Sequence, residues 1–326
     1  MSFSQRLMHA RPRGRAWIRI ALRFGLVALF AVAVGASYGL TRASASPAPS
    51  MQKYLGYWNY DQPNLTTLNN VGVLSCPDGG GQCGSQLPLP LKLPQVGWVL
   101  FSEGPHGTVN GHTDQGCTWN FRVTATDLEL SSTTQECFNP AVGSVGNITK
   151  WSVTVDGNKE HEEIVAISHQ PNGIDLIAPM KSGSRTRVNG VGGTESFSRF
   201  LGTFSYDPAD FHTLTNVVAT DHGTAFPEQG SIQFTKKDRS TILAHTPDGC
   251  NWTLAVRGNT AELDPATQTC HLASGDISFH YWAIVTDDGK HINAFRAGTT
   301  TLTGQQPTNN YLYSGALTRS SQPEEE

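Results

Sequence analysis

The sequence is poor in charge and, beyond its first 45 residues, poor in positive charge. Asp, Glu, Lys and Arg make up 15% of its 326 residues. Residues 1–45 carry seven arginines (Arg6, Arg11, Arg13, Arg15, Arg19, Arg23 and Arg42) and no lysine or acidic residue. The remainder holds sixteen basic against twenty-seven acidic side chains, a net of −11. Such an anionic body repels phosphate backbones, which argues against nucleic acid as a partner. Catalytic templates are missing as well. No Gly-x-Ser-x-Gly occurs, and Gly143-Ser144-Val145-Gly146 has the wrong spacing for one. Glu160-His161-Glu162-Glu163 lacks the second histidine of a zinc-protease helix and sits in strand-like surroundings. The sequence therefore calls for no catalytic residue, metal or cofactor, and an enzyme would have to assemble a histidine and a carboxylate in space.

What is present begins with an address. A basic stretch from Arg6 to Arg23 precedes an apolar run from Phe24 to about Leu40, then Ala43-Ser44-Ala45. That order is the layout of an export signal over residues 1–45, with cleavage after Ala45 as the preferred reading. The alternative is an uncleaved anchor through residues 20–40, because roughly 17–25 residues span a bilayer. No Arg-Arg pair marks twin-arginine export. Both readings place the body outside the cytoplasm, secreted or anchored to the outer face of the membrane.

The body is a duplication. Tyr54-Leu55-Gly56-Tyr57-Trp58-Asn59-Tyr60-Asp61 matches Phe200-Leu201-Gly202-Thr203-Phe204-Ser205-Tyr206-Asp207 at an offset of 146. Thr67-Leu68-Asn69-Asn70-Val71 falls on Thr213-Leu214-Thr215-Asn216-Val217 at the same offset. At an offset of 133, His112-Thr113-Asp114-Gln115-Gly116-Cys117-Thr118-Trp119 matches His245-Thr246-Pro247-Asp248-Gly249-Cys250-Asn251-Trp252. Gln135 and Cys137 then fall on Gln268 and Cys270. The period is too long for a solenoid or propeller. The expected organisation is a linker at 46–53, domain one at 54–190, a linker at 191–199, domain two at 200–319 and an acidic tail at 320–326.

Six cysteines in an exported chain read as three disulfides. The repeat favours Cys117–Cys137 and Cys250–Cys270, each 20 residues apart, and leaves Cys76–Cys83 to close a Gly-rich loop present only in copy one. Cys117, Trp119, Phe121 and Val123 alternate with Thr118, Asn120 and Arg122, so cysteine and tryptophan share the inward face of a strand. Each domain disulfide is expected to staple its own hairpin inside the core, which is worth about 3 kcal/mol.

With 33 glycines and 18 prolines, turns are frequent. Copy two reads as eight strands: 201–206, 231–235, 241–245, 250–256, 260–263, 277–285, 291–297 and 311–318. No segment beyond the N-terminal one has a helical period. The expected fold class is all-β, with two tandem antiparallel up-and-down barrels, because closure removes exposed edges. A β-sandwich is the alternative. Gly56-Tyr57-Trp58 resembles the Gly-x-Trp that opens lipocalin-like barrels, and the resemblance covers most of residues 54–319 as an architecture. It implies tandem calycin-type domains, each able to hold a small ligand. Copy two departs from it, with Phe204 in place of the tryptophan, and the paired hairpin cysteines are not the family's usual arrangement.

Candidate site residues follow from the repeat. Trp58, Trp119 and Trp151, or Phe204, Trp252 and Trp282, either fill the barrel cores or line a cavity for a small apolar ligand. Tyr60 and Tyr206 form the exit turn of the first strand or rim a pocket. His112 and His245 are either hydrogen-bonded within their turns or contact a ligand. Asn64-Leu65-Thr66, Asn147-Ile148-Thr149 and Asn251-Trp252-Thr253 fit the N-glycosylation pattern. Three functions compete: an apolar-ligand carrier, which is preferred, a solid-cored interaction module with an apolar patch at the copy-one Pro-Leu loop, and an enzyme without a motif. Oligomeric state is not legible.

Overall fold

Alternation of buried and less buried side chains is clearest in the strands Thr118–Val123, Ser231–Lys236 and Asn251–Arg257. The computed structural model describes residues 50–78, 83–85, 87–139, 144–169, 173–189 and 197–321, all within one compact unit spanning residues 47–326. The expected export signal at 1–45, residues 46–49, most of the expected 191–199 linker and the tail beyond Ser321 lie outside the described residues. No helix among the described residues is long and apolar enough to cross a membrane.

The first copy contains β1 (Gly56–Tyr60), β2 (Val71–Leu74), β3 (Leu91–Pro94), β4 (Trp98–Glu103), β5 (Thr108–Thr113), β6 (Thr118–Val123), β7 (Leu128–Leu130), β8 (Gln135–Asn139), β9 (Ser144–Asp156), β10 (Lys159–His169) and β11 (Asp175–Val188). The second repeats the series as β12 (Gly202–Tyr206), β13 (Val217–Thr220), β14 (Ala225–Pro227), β15 (Ser231–Lys236), β16 (Thr241–His245), β17 (Asn251–Arg257), β18 (Thr260–Leu263), β19 (Gln268–Leu272), β20 (Gly275–Val285), β21 (His291–Leu302) and β22 (Thr308–Ser321). Each copy closes eight antiparallel strands into a barrel. The first ring runs β1-β4-β5-β6-β7-β9-β10-β11 and returns to β1; the second runs β12-β15-β16-β17-β18-β20-β21-β22 and returns to β12. The eight strands read from copy two are these eight ring strands, and the β-sandwich alternative is set aside. Trp151 and Trp282 lie mid-strand in β9 and β20.

All three disulfides form as the repeat implies, with Cα–Cα distances of 5.8 Å for Cys117–Cys137 and Cys250–Cys270. Their setting is more open than expected. β7 and β8 lie end to end along one edge of β9, so the hairpin's second arm is interrupted. Where β8 separates from β6, the Gln135 amide takes the place of a ladder pair: Asn120 N–H donates to Oε1 at 2.8 Å, and Nε2 donates to Asn120 O at 2.6 Å. Gln268 does the same for Thr253 in copy two. Each disulfide crosses the same gap, with Cys117 or Cys250 in the core and its partner only partly buried. The bridge therefore sits at one end of the barrel, not in its centre.

Two repeated side chains fasten the ends of each ring. Asn70 and Asn216, at φ 54° and 53°, are fully buried. Asn70 Nδ2 donates to Asp61 O and Ser184 O, and its Oδ1 accepts from Ser184 N; Asn216 makes the same three bonds to Asp207 and Ala316. Asparagine tolerates the left-handed conformation and satisfies strand-end backbone groups at once. At the other end, the Arg187 guanidinium lies 4.4 Å from the Trp58 ring, and Arg319 lies 4.5 Å from Phe204. Each arginine also donates to backbone carbonyls of the segment before the first strand.

Candidate functional site

The disulfide end of barrel one holds a partly open cavity of about 220 Å3. Its deeper wall is aromatic and aliphatic: Tyr60, Trp119, Trp151, Ile148, Ile164 and Met180. Trp119 and Trp151 meet edge-on at 6.3 Å, and Phe121 backs Trp151 at 5.1 Å. The β2–β3 hairpin contributes Gly72, Leu93 and Gln95, while Trp98, Asp114 and Asn139 complete the lining. Asp114 lies against Gly97, whose φ is +93° and where a Cβ would fall 1.9 Å from Asp114 Oδ2. Only glycine permits that approach. The Tyr281 hydroxyl, from barrel two, donates to the same oxygen at 2.5 Å. Burial pushes the Asp114 carboxyl well above the usual range, and the nearby Glu262 carboxylate pushes it the same way.

Behind the aromatic wall sits a closed ionic cluster. Arg185, Glu160 and Glu162 have fully buried side chains, and Arg185 pairs with both carboxylates. Trp151 Nε1 donates to Glu162 Oε2 at 2.7 Å. The guanidinium lies 5.1 Å from the Tyr60 ring and 5.5 Å from the Trp151 ring. Burial drives Glu160 up to about 8 against the attraction of Arg185, and Glu162 is raised for the same reason. Two buried carboxylates thus share one cation, and the pair holds a proton more readily than free carboxylates do.

Barrel two differs at these positions. The register places Ile292, Ala294 and Leu317 where copy one has Glu160, Glu162 and Arg185, and all three belong to its apolar core. Its own cavity, about 350 Å3, is more polar and is lined by Glu228, Thr246, Asp248, Phe279, Arg296 and Asn310 among others. Arg296 pairs with Glu228 at 2.6 Å and lies 4.7 Å from the Phe279 ring.

The structure distributes the sequence-derived candidates unevenly. Tyr60, Trp119 and Trp151 come together in the first cavity. Trp58 does not join them; it is fully buried lower in the core, donating to Tyr54 O at 2.6 Å. Phe204, Trp252 and Trp282 are likewise core residues outside the lining of the second cavity, with Phe279 between that cavity and the two tryptophans. Tyr206 is reached by Arg296 Nη1 at 3.5 Å but lines neither cavity. His112 and His245 bond across their hairpins, to Thr118 and to Asn251 and Thr235, because their strand parity turns them away from the interior. The Pro-Leu loop of copy one is no exposed patch, since Leu87 and Leu89 pack against Leu74, Leu91 and Leu176. Among the glycosylation patterns, Asn251 is exposed, while Asn147 is buried within β9.

Several residues that shape the site belong to no sequence motif. Glu160 and Glu162 alternate with His161 and Glu163, a period-2 pattern that places them on one strand face. Asp114 and Tyr281 lie 167 residues apart and meet only because the barrels pack together. Arg187 and Arg319 carried a faint signal, a Thr-Arg pair near the end of each copy.

No protein-family profile matches this sequence, and no curated protein does. Among solved structures, the chain is similar to a protein of unknown function from the DUF3598 family of Nostoc punctiforme PCC 73102, at 9% identity and a TM-score of 0.25, covering 82% of this chain and 97% of that one. It is similar to the same degree to a "putative outer membrane protein" from Bacteroides fragilis NCTC 9343, with 9% identity, a TM-score of 0.25, and coverage of 82% and 98%. Likeness at that level carries no information about ligand or location.

Proposed function

We propose that the protein is an extracytoplasmic binding protein whose first barrel takes a small apolar, aromatic-sized molecule, in the manner of lipocalin-like carriers. The observation that carries this reading is the cavity of about 220 Å3 walled by Tyr60, Trp119 and Trp151 in barrel one. Apolar-walled concavities with a few polar groups are the usual form of small-molecule sites, and this one is below the roughly 300–1,000 Å3 of drug-sized pockets. It suits a single or fused ring. Three disulfides and the basic-apolar-small N-terminal segment support an oxidising location outside the cytoplasm.

Indole is a suitable probe, and calorimetry reads its binding. Gly146 lines the cavity, and a Cβ built there meets nothing within 4 Å. Gly146→Ile, which installs the copy-two residue Ile277, fills part of the space without disturbing the strand. We expect indole to bind the native protein and to bind this variant at least about tenfold more weakly, the loss of roughly one ring's contacts. Equal binding by both proteins would place indole elsewhere, and no binding by either would leave the second reading. That reading is an interaction module, favoured by the exposed cross-strand pair Phe138 and Val145 beside the cavity-lining Cys137 and Gly146.

A further inference from the structure

Resting on the carrier reading above, we infer that the natural ligand of barrel one is cationic: an aryl-alkylamine whose ring enters the tryptophan-walled interior and whose ammonium pairs with Asp114. Among the described residues, the cavity lining contains one carboxylic acid, Asp114, and no lysine, arginine or histidine. Four aromatic residues, Tyr60, Trp98, Trp119 and Trp151, share that lining. A carboxylate among indole and phenol faces is the environment that attracts an organic ammonium and repels an organic acid.

The charge balance around Asp114 leaves room for that cation. Two carboxylates, Asp114 and Glu262, face one another across the contact between the barrels. The cation held close to Glu262 is Arg257, 3.8 Å from that carboxylate and 5.3 Å from the Trp98 ring. Trp98 Nε1 donates to Glu262 at 2.6 Å, so Glu262 is already satisfied by an arginine and an indole N–H. Asp114 receives a hydroxyl from Tyr281 and has no such counter-ion among the described residues. A half-buried carboxylate without a cation is costly unless it is protonated or paired. A ligand ammonium supplies the missing charge. The body's net charge of −11 beyond residue 45 favours approach of a cation over an anion.

The mixed lining of the cavity also fits one molecule with two ends. Ile148, Ile164 and Met180 offer apolar contact, and Asp114, Gln95 and Asn139 offer polar atoms, within the same lining. A ring carrying an amine on a short linker offers a partner to both kinds of group, whereas a bare ring leaves the carboxylate unpaired. An aryl-acetate brings like charge to Asp114. The predicted order of affinity is therefore amine, neutral ring, acid.

Calorimetry with tryptamine, indole and indole-3-acetate on the full chain tests this order. We expect tryptamine to bind at least about tenfold more tightly than indole, and indole-3-acetate to bind more weakly than either. In Asp114→Asn, the tryptamine-to-indole ratio should collapse to about one. Tyr281→Phe keeps the carboxylate and removes its hydroxyl partner, so that ratio should hold or rise; this second variant covers the case in which Asp114→Asn fails to fold. Indole binding with a tryptamine ratio near one in the native protein overturns the cationic-ligand inference alone. A ratio that survives Asp114→Asn also overturns it. Absence of binding by indole and tryptamine alike overturns both this inference and the carrier reading.

Discussion

Glu160 and Glu162 show what a single residue's parity decides. In sequence they resembled a failed metal motif; in the barrel they alternate with exposed His161 and Glu163 and point inward to Arg185. A metal motif depends on which residues follow one another, whereas the role of these two carboxylates depends on which side of the strand they face. The consequence is a specific pH dependence. Glu160 moves from 4.5 in its ordinary state to about 8 in the fold because burial disfavours its charged form. A raised acid binds its proton more tightly when folded, so its contribution is fully present below about pH 4.5 and is lost as pH rises through about 8. Stability should decline across that window, with Glu162, Glu262 and Asp114 acting in the same direction. Asp238 is held down to about 2, chiefly by the Ser240 N–H, and exerts its opposite effect only below that window. Glu160→Gln mimics the protonated form and should reduce the decline. Urea unfolding at pH 5, 6.5 and 8 measures it, and an unchanged slope in the variant would sink the assignment.

At the scale of elements, the two copies are one strand plan with different interiors. The alternation around Cys117 and Cys250, the eight ring strands and the disulfide map were all legible, because periodicity and repetition are local or pairwise properties of sequence. β13, β14 and β19 were not, being short strands outside the ring path whose pairing depends on a longer neighbour. The charge in barrel one was equally hidden, because β10 looks like a solvated strand until closure of the barrel turns its Glu160 and Glu162 face inward. Copy two supplies the control. Replacing a buried ionic cluster with apolar residues of fitting shape is often neutral or stabilising, while removing one partner strands a charge. Arg185→Leu alone should therefore cost on the order of 3–5 kcal/mol. Adding Glu160→Ile and Glu162→Ala, which completes the copy-two set, should recover most of that loss. The recovery should be incomplete, since Trp151 Nε1 loses its acceptor at about 1 kcal/mol. Denaturant midpoints for the single and triple variants decide this, and a triple variant weaker than Arg185→Leu would contradict it.

For the whole molecule, the instructive difference is on the outside of the barrels. Tyr281, Ala283, Val285 and Phe295 stand on β20 and β21 where the register puts Lys150, Ser152, Thr154 and Glu163 in copy one. In copy one that face is solvated, with a Lys150–Glu163 ion pair at 2.5 Å. In copy two it forms an apolar cluster with Val96 of copy one. A second cluster joins Leu214 and Val217 to Leu74, Leu91 and Leu176. Polar pairs surround them: Gln62 exchanges hydrogen bonds with Asp287, and Asn259 donates to Tyr60 O at 2.9 Å. The run Tyr281-Trp282-Ala283-Ile284-Val285 is apolar on both strand faces, which is the mark of a strand covered on both sides. Barrel two should therefore not be a soluble monomer by itself. Residues 197–321 expressed alone expose this face and should self-associate in size-exclusion chromatography with light scattering. The same segment carrying Tyr281→Lys, Val285→Thr and Phe295→Glu, which restores the copy-one pattern, should elute as a monomer. Each buried side chain so removed is worth roughly 1.5–3 kcal/mol to the contact. In the full chain, Phe295→Glu should then separate one thermal unfolding transition into two, because the barrels keep their own cores and disulfides but lose their shared surface. A monomeric native segment, or one undivided transition in the full-chain variant, would mean that the polar pairs alone hold the barrels together.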